Sequence, residues 1–316
     1  KNMKNFVLKI TFLIIPSLLF SQSILFNQSN SDLPEDDILS VAIDFNGNKW
    51  IGTSNKGLVL FDGNNFIPFR KEFFKMIQGD YITPIFVDSK KRIWISYSNP
   101  NDGITMLDGN TWYNFTEKEL EEVSVIAIAE DENGVIYFGG TNGIITYENN
   151  KWNKMKLPSG NYTVRAIDID KKGNIAIGHN EGLLLYQNKK WKNYTEENSE
   201  LVLSTVRAVK FIENKIFIGY GGGLGNGGFS ILENKKWQHF NKNNSSISDH
   251  MIRDIEVDQK GTIWMATNFG LIKFKDGIIT PIFFNDGKYT NVITDISIDK
   301  ETIWLSTTIG LIKYVP

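Results

Sequence analysis

Short stretches of alternating apolar and polar residues recur along the whole chain, as in Val164-Arg165-Ala166-Ile167-Asp168-Ile169, each bounded by Gly, Asn or Asp. A period of two predicts strands with one face buried. The stretches are too short and too often interrupted to hold a long helix, so the fold class is all-β.

A larger period overlies the small one. A bulky residue in mid-unit falls at Trp50, Trp94, Tyr137, Ala176, Phe217, Trp264 and Trp304. A glycine before an apolar run falls at Gly57, Gly103, Gly143, Gly182, Gly228, Gly270 and Gly310. Both rulers give seven units of about 40–45 residues, the period of a β-propeller with one blade per unit.

Each unit reads as four strands. The first two are joined by turns such as Asp44-Phe45-Asn46-Gly47 and Asp258-Gln259-Lys260-Gly261. Asp at the first place caps backbone amides, and Gly at the fourth tolerates positive φ. The last two are joined by pairs such as Asp62-Gly63, Glu148-Asn149, Gln187-Asn188 and Glu233-Asn234. The fourth strand often begins with Trp: Trp112, Trp152, Trp191 and Trp237. All eight tryptophans therefore sit at repeat positions, and their expected role is packing between blades.

The seventh unit has three strands before Pro316. Residues 26–33 match the end of a fourth strand and its exit loop, as at 194–201 and 240–247. Residues near 23–27 are therefore expected to supply the outer strand of the last blade and close the ring. The expected architecture is a seven-bladed propeller of four-stranded antiparallel blades over residues 22–316.

Residues 1–21 read as a signal peptide: a basic start at Lys1 and Lys4, an apolar stretch over 6–20, then Ser21-Gln22-Ser23 for cleavage. The mature chain is expected to be exported, periplasmic or extracellular, soluble, not inserted in the membrane, and monomeric unless part of a larger sensor. A net charge of −2 gives no basic field for nucleic acid. No cysteine is present, which removes disulfides and thiolate chemistry, and three histidines are a poor supply of metal ligands. No metal and no cofactor are expected, and no catalytic residue can be named.

The unit Asp-x-x-Gly-x-x-Trp-Ile-Gly-Thr-x-x-Gly-Leu, clearest at 41–66 and 255–274, resembles the two-component regulator propeller repeat, a family common in Bacteroidota. The resemblance implies an exported propeller. Members often form the periplasmic sensing part of hybrid histidine kinases that respond to glycans, typically beside a second propeller, an immunoglobulin-like module, a membrane helix and a kinase.

In this topology the loops after strands two and four share one face over the channel. Arg165, Arg207 and Arg253 fall at one repeat position on consecutive units, where Leu39, Thr83, Ser124 and Thr294 stand in the others. Three guanidiniums at the channel mouth could grip a carboxylate, a sulfate or sugar hydroxyls. The structural alternative is salt bridging to Asp168, Asp254, Glu256 and Asp295. Tyr97, Tyr220 and Phe269 are candidate stacking surfaces, and His179 is the histidine in a suitable loop. A Gly-x-Gly-x-x-Gly match at Gly223, Gly225 and Gly228 lies between strands; a dinucleotide site needs a following helix, so the run reads as a loop.

The expected function is a non-catalytic binding or sensing module for a glycan or an envelope protein. The alternatives are a fragment of a periplasmic two-component hybrid sensor, an envelope assembly scaffold and, last, a propeller lyase or glycosidase.

Overall fold

The computed structural model describes residues 22–160, 162–222, 227–284 and 292–316. The expected signal peptide over 1–21, and Gly223 and Gly225 of the glycine run, lie outside the described residues. Strands are numbered β1 to β28 along the chain and form seven four-stranded antiparallel sheets. In six sheets the strands follow chain order from the inner edge outwards. The seventh is β26 (Ile293–Asp299), β27 (Thr302–Thr307), β28 (Gly310–Val315) and then β1 (Gln22–Phe26) on the outside. Its register runs from Gln22 opposite Val315 to Phe26 opposite Leu311, one residue earlier than the sequence indicates. Phe26 also stacks on Trp304 and tilts against Phe61 of the first blade, so β1 fastens the last blade to the first.

The core lies between blades. Trp304 of the last blade and Phe61, Val41 and Ile51 of the first form one buried cluster. Trp50 of the first blade packs with Ile82, Ile85 and Ile95 of the second. The mid-unit residues supply this layer because a strand places alternate side chains on opposite sheet faces, and both faces of a blade meet a neighbour. All are buried except Tyr137, which is half-buried.

The turns carry more polar work than the pattern implied. In the first blade Asp44 Oδ1 accepts from the amides of Asn46 and Asn48, while Oδ2 accepts from Trp50 Nε1. Three of the outer hairpins turn one residue later than the sequence places them: Asn149 with Asn150, Asn188 with Lys189 and Asn234 with Lys235 all have positive φ, while Asp276 with Gly277 turns where the sequence has it. Two left-handed residues in succession define a type I′ turn, whose twist matches the strands it joins.

Candidate functional site

The inner strands converge on the propeller axis, and each has a register jump at its first ladder positions. The jumps fall at Ile38/Ser40, Ile82/Ile85, Val125/Ala127, Val164/Ala166, Val206/Ala208, Ile252/Asp254 and Ile293/Asp295. A β-bulge of this kind takes a residue out of the ladder and re-aims its side chain. The residues at the jumps are Leu39, Thr83 with Pro84, Ile126, Arg165, Arg207, Arg253 and Thr294. All line one central cavity of about 590 Å³. In the third blade the position belongs to Ile126, not to Ser124 as the sequence alignment has it. Ser124 lies before the strand, its amide bonded to Thr141 Oγ1.

Arg165, Arg207 and Arg253 thus stand on the fourth, fifth and sixth blades at one level. Burial, with Arg165 and then Arg253 beside it, pulls the Arg207 guanidinium below its ordinary range. Burial does the same to Arg253, against the pull of Asp249 and Tyr81. Nε of Arg165 and Nε of Arg207 are buried without a hydrogen-bond partner among the described residues. Arg253 donates from Nε to Asn268 Oδ1 at 2.7 Å. The opening of the glycine run serves this arrangement: a Cβ at Gly221 would collide with the Arg207 side chain.

The salt bridges to inner-strand acids are not formed, because those acids are engaged with the neighbouring blades. Asp168 Oδ2 accepts from the amide of Phe211 at 2.7 Å, Asp254 Oδ2 from Ile296 at 3.0 Å, and Asp295 Oδ2 from Val41 at 2.8 Å. Each of these bonds joins the inner strand of one blade to the next. Lys210, rather than an arginine, supplies the countercharge, at 2.9 Å from Glu256 and 3.9 Å from Asp168. Burial pushes the carboxyls of Asp168 and Asp295 up to about 6 and holds Asp254 well above the usual carboxylate range, with Asp295 beside it.

Tyr97, His179 and Tyr220 occupy a single repeat position, the last residue of the second strand, and all three are buried. Their polar ends are satisfied inside the blade: Tyr97 with Thr105, Tyr220 with Ser230, and His179 Nε2 with Asn193 Oδ1. Burial lowers the His179 pKa to about 4. These three therefore lock blade ends and present no stacking surface to a ligand. Phe269 is 52% exposed and stands edge-on to Phe283, so it remains an open aromatic of the loop face.

Fold and site together define a seven-bladed β-propeller with a polar axial cavity whose mouth is cationic on one side. No protein-family model matches the sequence, and no curated protein matches it. Solved structures do. Virginiamycin B lyase from Staphylococcus aureus is similar over 94% of this chain and 100% of its own, at 14% identity and a TM-score of 0.74. An extracellular domain from B. thetaiotaomicron, described as that of a hybrid two-component system, is similar over 94% of this chain and 40% of its own, at 18% identity and a TM-score of 0.71. PorZ of Porphyromonas gingivalis, described as a surface component of the type-IX secretion system, is similar over 92% of this chain and 48% of its own, at 15% identity and a TM-score of 0.66. At these identities the likeness is one of fold. No helix among the described residues is long and apolar enough to cross a membrane.

Proposed function

We propose that this propeller is an exported, non-catalytic binding or sensing module of the two-component regulator propeller type. It takes a glycan or an envelope protein on the loop face over its channel, holding an anionic group with Arg165, Arg207 and Arg253. The observation that carries this reading is the buried Nε of Arg165 and of Arg207, each without a hydrogen-bond partner among the described residues. Holding like charges together and half-desolvated costs free energy that an anion returns through charge-assisted hydrogen bonds. Extracellular and surface proteins among the similar folds support export. The test is a glycan array with calorimetry on the purified chain and on Arg207→Ala. Acidic ligands should bind, and the variant should lose about tenfold or more in affinity. Binding confined to neutral glycans, unchanged in Arg207→Ala, would remove the arginines from the reading.

The second reading is a piece of a larger sensor or assembly scaffold. It is favoured by the sensor domain and PorZ, of which this chain spans less than half. A lyase reading draws only on the likeness of fold; His179, the histidine it would need at the channel, is turned into the blade.

A further inference from the structure

Blade order converts directly into position around the axis. The fourth, fifth and sixth blades carry the arginines. Across the cavity the first, second and third present Leu39, Thr83 with Pro84, and Ile126 at the same bulge position, apolar but for Thr83. Ile126 is 38% exposed, while Val125 beside it is buried. An aliphatic side chain left open at the centre of a propeller otherwise filled with packed apolar residues is a wall facing something. The three arginines and the residues opposite them line the one cavity, so a ligand seated in it meets both sides of the mouth. The cavity volume, about 590 Å³, lies within the range of small-ligand pockets.

The floor adds a constraint. Asp168, Asp254, Glu256 and Asp295 line the same cavity beyond the bulges. Lys210, which lines the cavity with them, is held at 2.9 Å from Glu256, so the arginines of the mouth are the cations placed to receive an anionic group.

We infer that the ligand of this site is a carboxylate carried on an apolar body: the carboxylate sits in the forks of Arg165, Arg207 and Arg253, and the body lies against Leu39, Pro84 and Ile126. This rests on the reading of the channel mouth as a binding site. A planar carboxylate matches the guanidinium fork, and the apolar wall supplies affinity in proportion to the area covered. The same chemistry exists in a free small acid and in the C-terminus of a chain ending in an apolar residue.

Calorimetry at low salt with acetate, hexanoate, glucuronate and sulfate tests it. Hexanoate should bind about tenfold tighter than acetate or glucuronate, the effect of covering roughly two methylenes. Arg207→Gln should weaken acetate and hexanoate alike, and Ile126→Thr should shrink the hexanoate-to-acetate ratio to about threefold or less. If Ile126→Thr unfolds, Leu39→Thr reads the same wall. An Ala-Ala-Leu peptide that binds tighter than hexanoate with a free but not an amidated terminus assigns the source to a chain end; weaker binding assigns it to a free acid. Either result keeps the chemistry. Sulfate or glucuronate binding as tightly as hexanoate, with loss in Arg207→Gln, overturns the apolar body and leaves the anion site standing. No binding of any of the four probes overturns both.

Discussion

Asp88 accepts the indole Nε1 hydrogen of Trp94 through Oδ2 at 2.9 Å, and the same oxygen accepts from Arg92 Nε at 2.6 Å. The tie recurs between Asp44 and Trp50 and between Asp258 and Trp264. It is missing at Trp304, whose buried Nε1 has no partner among the described residues. There the turn is shorter, and Asp299 pairs with Lys49 of the first blade at 3.6 Å.

Trp94→Phe and Trp304→Phe remove the same ring from equivalent layers, but only the first deprives a fully buried carboxylate of a donor. Trp94→Phe should therefore be the more destabilising by about 1–3 kcal/mol. Urea unfolding at neutral pH measures it; equal costs would show that the Asp–Trp tie contributes nothing.

Deleting residues 22–26 should strip β1 from β28 and leave an unpaired edge. It also uncovers Trp304 and Phe61, which Phe26 packs against. We expect a loss of about 3 kcal/mol, from half-buried Phe26 together with the pairing of β1, or no soluble protein. A truncated chain that melts cooperatively at the full-length temperature would contradict the closure.

Stability should depend on pH through the inner acids. Asp168 and Asp295 have folded pKa values raised to about 6, and Asp254 is raised well above its ordinary value. Groups raised on folding stabilise most when protonated, so this contribution grows as pH falls from above about 6 towards about 4 and is lost on the way back up. His179, lowered to about 4, acts the other way: its contribution is present above about 6.5 and lost as pH falls towards 4. Asp254→Asn isolates the acid share. Relative to the unaltered chain, it should gain stability from pH 5 to pH 7.5. A difference that is flat with pH would mean that Asp254 is ionised at its ordinary value.

The three arginines should separate by their partners. Arg207→Ala removes a cation held between two others and should leave thermal stability unchanged or raised, while anion binding weakens by about 1.5–3 kcal/mol. Arg253→Ala also loses its bond to Asn268 and should cost about 0.5–1.5 kcal/mol of stability. Melting curves and calorimetry on both variants decide. Stability lost in Arg207→Ala with binding intact would mark it as a packing residue.

Blade number, strand count and ring closure were legible in the sequence because they are written locally, in Asp-x-x-Gly turns, mid-unit aromatics and the match of residues 26–33 to later exit loops. The site was half legible. Repeat alignment put the three arginines at one position, as the structure does, yet it put Ser124 where Ile126 stands, although Val125-Ile126-Ala127 matches Val164-Arg165-Ala166 across the same register jump. Tyr97, His179 and Tyr220 looked like loop residues since nothing local shows that the end of the second strand turns its side chain inward. The acids looked like arginine partners because their true partners, the amides of Phe211, Ile296 and Val41, are backbone groups on the next blade and have no sequence signature.

The bulge separates two jobs that a strand residue normally does at once. A residue inside the ladder must suit its cross-strand neighbour and the adjoining blade; a residue at the jump is released from the ladder, though Thr294 still donates to Ile38 O and Ser306 O. Leucine, a Thr-Pro pair, isoleucine, arginine and threonine all occupy this place in one molecule. Side chains of very different size and charge thus stand at one place of a common frame, and substitutions there change the chemistry of the mouth while the pairing of the seven sheets stays as it is.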